Sequence, residues 1–315
     1  MPFEEWPAGE GVAPVLKLVE PRAKTVAKRR RRSAPDVELI DLYGLSQRRR
    51  NLSPKTVTVV RRSLVSFSKA FPDGFASVSE EAIEQWLDSR NLSPKTRYGW
   101  ISQLDTFYGW AVSAGHLAIN PAAGIRRPRL RRALPRPISD KDLRQALASA
   151  DPMMRCWLLL AAFEGLRCQE IAGLEREDVD EAHGRLRVVH GKGDKERMLP
   201  LHPDVLAALQ ALPMPTSGPV FHWPAGCDPR VSPGSRLTAD HVSHEVATYL
   251  HSLGSTATAH TLRHYFATSI YRSTRDLLLT QELLGHASPA MTAVYAASDP
   301  KHAAPAVEGL KLEDE

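Results

Sequence analysis

Six side chains in the second half of the chain could together do chemistry: Arg167, Lys192, His260, Arg263, His286 and Tyr295. His260 and Arg263 belong to His260-Thr-Leu-Arg263-His264, His286 ends Leu283-Leu-Gly-His286, and Tyr295 ends Thr292-Ala-Val-Tyr295. Together they supply what a metal-free phosphoryl transfer to a protein nucleophile needs. Guanidinium forks match phosphate oxygens bidentately, so the arginines can clamp a phosphodiester. The lysine and histidines can donate hydrogen bonds or protons, and the phenol can become a covalent partner of phosphorus.

Taken singly, each residue has an ordinary explanation. An arginine just after a helix, as Arg167 is in Glu164-Gly-Leu-Arg-Cys-Gln-Glu170, commonly satisfies free carbonyls. Lys192, in Gly191-Lys-Gly193, reads as a solvated turn lysine, and Lys195 competes with it for any role. No Gly-Lys-[Ser/Thr] is present there, so the segment is not a phosphate-binding P-loop. His260, Arg263 and His264 share one helix face by their i, i+3, i+4 spacing. No Glu follows His260 and no cysteine pair is near, so zinc is not expected. A lone tyrosine on an amphipathic helix usually packs in a core.

The ordered set is far more specific than its members, and it resembles the tyrosine recombinases, the phage-integrase and Xer-type family of site-specific DNA recombinases. The resemblance runs from about Leu52 to Tyr295. The segment around Arg167 is similar to the family's first arginine motif, with Glu170 at the place of its acidic supporting residue. Cys168-Gln169 departs from the small residues commoner there. Gly-Lys-Gly followed by Lys-Glu-Arg resembles the catalytic β-hairpin, which favours Lys192, and residues 262–268 resemble the second arginine motif. His264 is expected to support its helix rather than touch phosphate.

The resemblance implies a mechanism. Arg167 and Arg263, aided by His260 and His286, would stabilise charge on the phosphorus transition state without a metal or cofactor. Tyr295 would attack in line to give a 3′-phosphotyrosyl link, with Lys192 protonating the leaving 5′-oxygen. It also implies homo-tetramers on two double-stranded DNA sites, with accessory DNA-bending proteins as possible partners. A type IB topoisomerase-like nick-and-swivel activity, an Xer-like dimer-resolution role and a non-catalytic DNA-binding module are the alternatives to phage or mobile-element integration.

The fold expected to position these residues is mainly α with a small antiparallel β-sheet: a helical bundle that binds the core site, then an α+β catalytic domain, the two clamping DNA. Residues 1–36 read as a basic disordered tail, 37–124 as the bundle, 125–138 as an Arg/Pro-rich linker, 139–298 as the catalytic domain and 299–315 as a tail. Asn-Leu-Ser-Pro-Lys-Thr occurs at 51–56 and again at 91–96. Each copy reads as a helix start, with Ser53 or Ser93 as cap and Pro54 or Pro94 at the first helical position. Val57, Val60, Leu64 and Phe67 then recur at helical spacing, as do Ile101, Leu104, Tyr108 and Ala111. Ser139-Asp-Lys-Asp142 has capping-box form. In the catalytic domain helices are expected over 153–163, 204–212, 239–253, 261–273, 277–284 and 289–296. A hairpin is expected between 185–190 and 195–201.

Composition agrees with a nucleic-acid partner. The formal net charge is +5, and cationic residues cluster at 28–32, 48–50, 61–62 and 126–132. The expected DNA-facing cations are Arg48, Arg49, Arg50, Lys55, Lys95, Arg97, Arg126, Arg127, Arg129, Arg131 and Arg132. Three cysteines, Cys156, Cys168 and Cys227, without CxxC spacing suggest neither disulfides nor zinc, which fits a reducing cytoplasm. The opening Met-Pro-Phe-Glu-Glu-Trp has no signal-peptide character, and no apolar run is long enough to span a bilayer, so no membrane partner is expected.

Overall fold

The computed structural model describes residues 36–130, 136–189, 196–223, 232–286 and 292–295. The basic N-terminal tail, Arg131 and Arg132, the hairpin tip with Lys192 and Lys195, and the tail after Tyr295 lie outside the described residues. The chain divides into two compact units, residues 1–131 and 132–315.

The first unit is helical: α1 (Val37–Arg49), α2 (Pro54–Ser68), α3 (Glu80–Asp88) and α4 (Pro94–Ser113). The repeated hexapeptide builds the same start twice. Asn51 and Asn91 both take left-handed backbone, at φ 56° and 46°. Ser53 and Ser93 each accept the N–H of the threonine three residues on, at 3.2 Å, which satisfies one free donor of the first turn. The apolar stripes of α2 and α4 then meet in an aromatic-rich core, where Phe67, Phe75, Phe107 and Tyr108 are fully buried and contact one another edge-on or stacked.

The second unit surrounds α6 (Pro152–Phe163), whose Leu158, Leu159 and Leu160 are buried on every side. Burial of that order stabilises by about 2 kcal/mol per leucine. Helices α5 (Asp140–Ser149), α8 (Pro203–Gln210), α9 (Ala239–Ser252) and α10 (Ala259–Thr274) complete the unit with α7 (Cys168–Ala172) and α11 (Leu277–Leu284). Helix α10 packs along α6, and α7 packs on α9. A three-stranded antiparallel sheet in the order β1 (Val179–Asp180), β2 (Arg185–Val188), β3 (Arg197–Pro200) supplies the only extended structure in named strands among the described residues. Its register pairs Val188 with Arg197 at the hairpin end.

Two elements depart from the sequence expectation. Helix α7 and strand β1 are five and two residues long, too short to carry a hydrophobic period. Both form because the tertiary fold completes them. Helix α10 also begins at Ala259 rather than Thr261, because Thr258 and Thr261 cap it reciprocally. His260 is therefore inside its first turn. Ile125 is buried in the first core and Ile138 in the second, so the Arg/Pro-rich segment is anchored at both ends.

Candidate active site

The first arginine is placed by a sharp turn. After α6, Gly165 takes φ +64°, and a Cβ there would run into the Phe266 ring of α10. Two residues further on, Arg167 is the N-cap of α7. Glu170 reaches back from the third helical position to accept the Arg167 N–H at 2.8 Å and Arg167 Nη1 at 2.8 Å.

Glu170 is the hub. Its side chain has 0% exposure, yet three guanidiniums converge on it: Arg167, Arg197 at 2.9 and 3.0 Å, and Arg263 at 3.6 Å. Burial works against its ionisation. Hydrogen bonds and charge from Arg197, the Arg167 N–H and the Arg263 charge outweigh that and hold the carboxyl below its usual range. Arg263, on the buried face of α10, donates to the carbonyl oxygens of Gly165 and Leu284. Burial and the Arg167 charge lower its pKa to about 9, which leaves it cationic at neutral pH.

The tyrosine lies on a helical turn over residues 292–295 and is 3% exposed. Its hydroxyl is 2.8 Å from His264 Nδ1. His264, expected to support its helix rather than touch phosphate, also meets the phenol: the i+1 offset from Arg263 aims its ring at Tyr295. Burial, helped by His260 and Arg263, pushes His264 down to about 4, so the ring is neutral and able to accept the phenolic hydrogen bond. His260 is exposed, and its ring lies 4.3 Å from that of His264. His286 stacks on Tyr295 at 6.5 Å, and its Nδ1 lies 2.9 Å from Thr292 Oγ1. Burial and the charges of Arg263, Arg167 and Arg197 bring His286 to about 4 as well. Burial raises the Tyr295 pKa, while Arg263 and Arg167 act to lower it.

Of the expected site residues, Arg167, Glu170, His260, Arg263, His264, His286 and Tyr295 therefore come together in the second unit. Lys192 lies outside the described residues. Arg197 is a member that sequence reading missed. It stood in the Lys-Glu-Arg strand, and the available signal was its place on an otherwise alternating strand, where an arginine 8% exposed needs a buried acid.

In the first unit, Arg48, Arg49, Arg50, Lys55, Lys95, Arg126 and Arg129 are exposed. Two cations of this unit pair with acids: Arg97 with Asp88 at 2.5 Å and Arg127 with Asp105 at 2.6 Å. Arg97, Arg126, Arg127 and Arg129 line one open cavity of about 640 Å³.

A clamp of arginines beside a hydrogen-bonded tyrosine defines a class, the DNA strand transferases that work through a tyrosine, and comparison with known proteins agrees. The model of the phage integrase family matches residues 138–302. The chain is 34% identical over 291 residues to the tyrosine recombinase XerC of Yersinia pestis, covering 86% of this chain and 92% of that one. With XerC of Proteus mirabilis the identity is 32% over 275 residues, covering 81% and 87%. A solved λ integrase dimer bound to a COC′ core site matches the fold with TM-score 0.66 at 20% identity, over 88% of this chain and 80% of that chain. XerH recombinase bound to a palindromic difH substrate matches with TM-score 0.64 at 21% identity, over 86% and 84%. The chain belongs to the phage integrase family, the tyrosine recombinases, which are site-specific DNA strand transferases. Among the described residues no helix is long and apolar enough to cross a membrane.

Proposed function

We propose that the chain recombines specific DNA sites through a 3′-phosphotyrosyl intermediate at Tyr295. The observation that carries this reading is the charge balance beside the phenol. Three guanidiniums and one carboxylate leave a net +2 (three minus one), of which Arg167, with 30% of its side chain exposed, is the most open. A scissile phosphodiester supplies the missing anion. The phenolic oxygen attacks phosphorus, the bond to the 5′-oxygen breaks, and the charge that gathers on the non-bridging oxygens is met by Arg167 and Arg263. His260 and His286 assist at the same phosphate. His264 holds the phenol and stands within hydrogen-bond distance to accept its proton. Lys192 is the proposed acid for the leaving 5′-hydroxyl. The bond energy stays in the phosphotyrosine, so religation needs no nucleotide cofactor.

The proposed working unit is a homo-tetramer on two double-stranded sites in the cytoplasm, with residues 37–124 and 139–298 as core-binding and catalytic domains. Arg48, Arg49, Arg50, Lys55, Lys95, Arg97, Arg126, Arg127, Arg129, Arg131 and Arg132 would contact the DNA. Arg97 and Arg127 would exchange Asp88 and Asp105 for phosphate. Integration or excision of a phage or mobile element is the biological role proposed. Xer-type dimer resolution is the second reading, favoured by the XerC relatives. The test is covalent capture on nicked suicide duplexes with a randomised core, with Tyr295→Phe alongside. Wild type should yield an adduct whose DNA identifies the site. Tyr295→Phe should yield none while binding duplex within about twofold, since one hydroxyl is lost from a largely electrostatic interface. An adduct with Tyr295→Phe would refute the nucleophile.

A further inference from the structure

Arg197 joins the arginine cluster through Glu170, which Arg167 and Arg263 also pair with. Its Nη1 and Nη2 donate to the two different oxygens of Glu170, at 2.9 and 3.0 Å, and its Nε donates to the Leu283 carbonyl at 2.9 Å. The next carbonyl, Leu284, accepts from Arg263 at 2.5 Å. Beyond it Gly285 takes φ +60°, where an added Cβ would stand 3.0 Å from Arg197 Nη1 and 3.2 Å from its Cδ. The chain entering His286 thus lies directly against this arginine.

The electrostatic consequence follows from Glu170. A carboxylate at 0% exposure takes its charge compensation from whatever cations touch it. If only Arg167 and Arg263 were available, Glu170 would consume half of their joint charge. Resting on the clamp reading above, we propose that Arg197 is a positioning residue for strand cleavage. It neutralises and orients Glu170, which leaves the Arg167 and Arg263 charges for the scissile phosphate, and it fixes the turn that delivers His286. Its own fork is spent: three of its five N–H groups are engaged and its side chain is 8% exposed.

The test uses full-length protein, a phosphodiester suicide duplex and the same duplex with a methylphosphonate at the scissile position, which removes the anionic charge the clamp must meet. Melting temperature and duplex binding are followed in parallel. Arg197→Gln lowers the cluster from +2 to +1. It should slow adduct formation on the phosphodiester by about a hundredfold, the scale of one lost electrostatic donor. On the methylphosphonate the deficit should shrink to less than about tenfold, because less charge develops. Arg197→Lys, which keeps the charge, should recover most of the phosphodiester rate. The double variant Arg197→Gln with Glu170→Gln returns the cluster to +2 and should cleave faster than Arg197→Gln alone. If the single variant fails to fold, the double variant carries the test, since both buried charges leave together. On the proposal its deficit against wild type is smaller than that of Arg167→Ala, and a deficit as large overturns the idea.

Equal deficits of Arg197→Gln on both substrates, or a double variant no faster than the single one, also overturn it and make Arg197 a fold residue only. Arg167→Ala is the control for the clamp itself and should likewise narrow its deficit on the methylphosphonate. If that control does not narrow, the clamp reading fails and this inference fails with it. If it narrows while Arg197→Gln does not, the failure belongs to Arg197 alone.

Discussion

Replacing His264 with alanine tests how the buried Tyr295 phenol is held. The contact is 2.8 Å from His264 Nδ1 to a phenol that is 3% exposed, so its loss leaves a buried hydroxyl without that partner. An unsatisfied buried hydroxyl costs about 1–3 kcal/mol, which corresponds to about five- to 150-fold in rate at 1.36 kcal/mol per decade. General-base catalysis would add more, up to about 10⁴-fold. The resting site argues for the smaller effect. Burial holds His264 down to about 4 and pushes the Tyr295 phenol up, so both shifts oppose full proton transfer to the ring before DNA binds. The expected outcome is a loss of about five- to 150-fold in adduct formation on a suicide substrate, with duplex binding unchanged. Single-turnover quenching on denaturing gels measures it, and ring-nitrogen NMR should find His264 neutral at pH 6. A His264→Ala protein that cleaves at the wild-type rate refutes the orienting contact. A loss clearly beyond about 150-fold refutes the conclusion that the ring orients rather than deprotonates.

Other outcomes follow from the same geometry. Gly165→Ala forces a side chain into the Phe266 ring at φ +64°, so it should destabilise the protein by roughly 2–5 kcal/mol, read by chemical denaturation. A variant as stable as wild type would show that the Arg167 turn relaxes freely. Lys192→Ala should cleave a normal diester poorly but a bridging 5′-phosphorothiolate well, because sulfur leaves without protonation; equal impairment on both would move the acid elsewhere, with Lys195 next. The histidines also set a pH dependence. His264 and His286 sit near 4 when folded, against about 6.5 unfolded, so the unfolded chain binds more protons between those values. Their effect is a stability loss as pH falls from about 6.5 through 4. Glu164, pushed up to about 7 by burial, works in the opposite direction, so the informative comparison is between variants. Melting temperature should fall less steeply from pH 7 to pH 5 in His264→Gln than in wild type, and identical slopes would show that His264 titrates normally.

The sequence determined a good deal by local means. Ser53, Pro54, Ser93 and Pro94 mark helix starts because capping and the missing proline N–H act within one turn, and both starts form as read. The Leu64, Phe67, Leu104 and Tyr108 stripes are buried because helical period alone puts them on one face. The residue types of the candidate site and their order also lie in the sequence, since Arg, His and Tyr carry their chemistry wherever the fold brings them. Only the tertiary structure decided how they combine. Helix α7 and strand β1 are too short for any period and exist through partners elsewhere in the chain. Arg197 is 27 residues from Glu170 and 86 from Leu283, and its role is visible only where the hairpin strand meets α7 and the end of α11. His264 is 31 residues from Tyr295, and helical spacing placed it beside Arg263 without saying what its ring would face. Burial then made both decisive: a carboxylate without water must gather cations, and a phenol without water must find an acceptor. Those demands arise from desolvation, which no local pattern of residues contains.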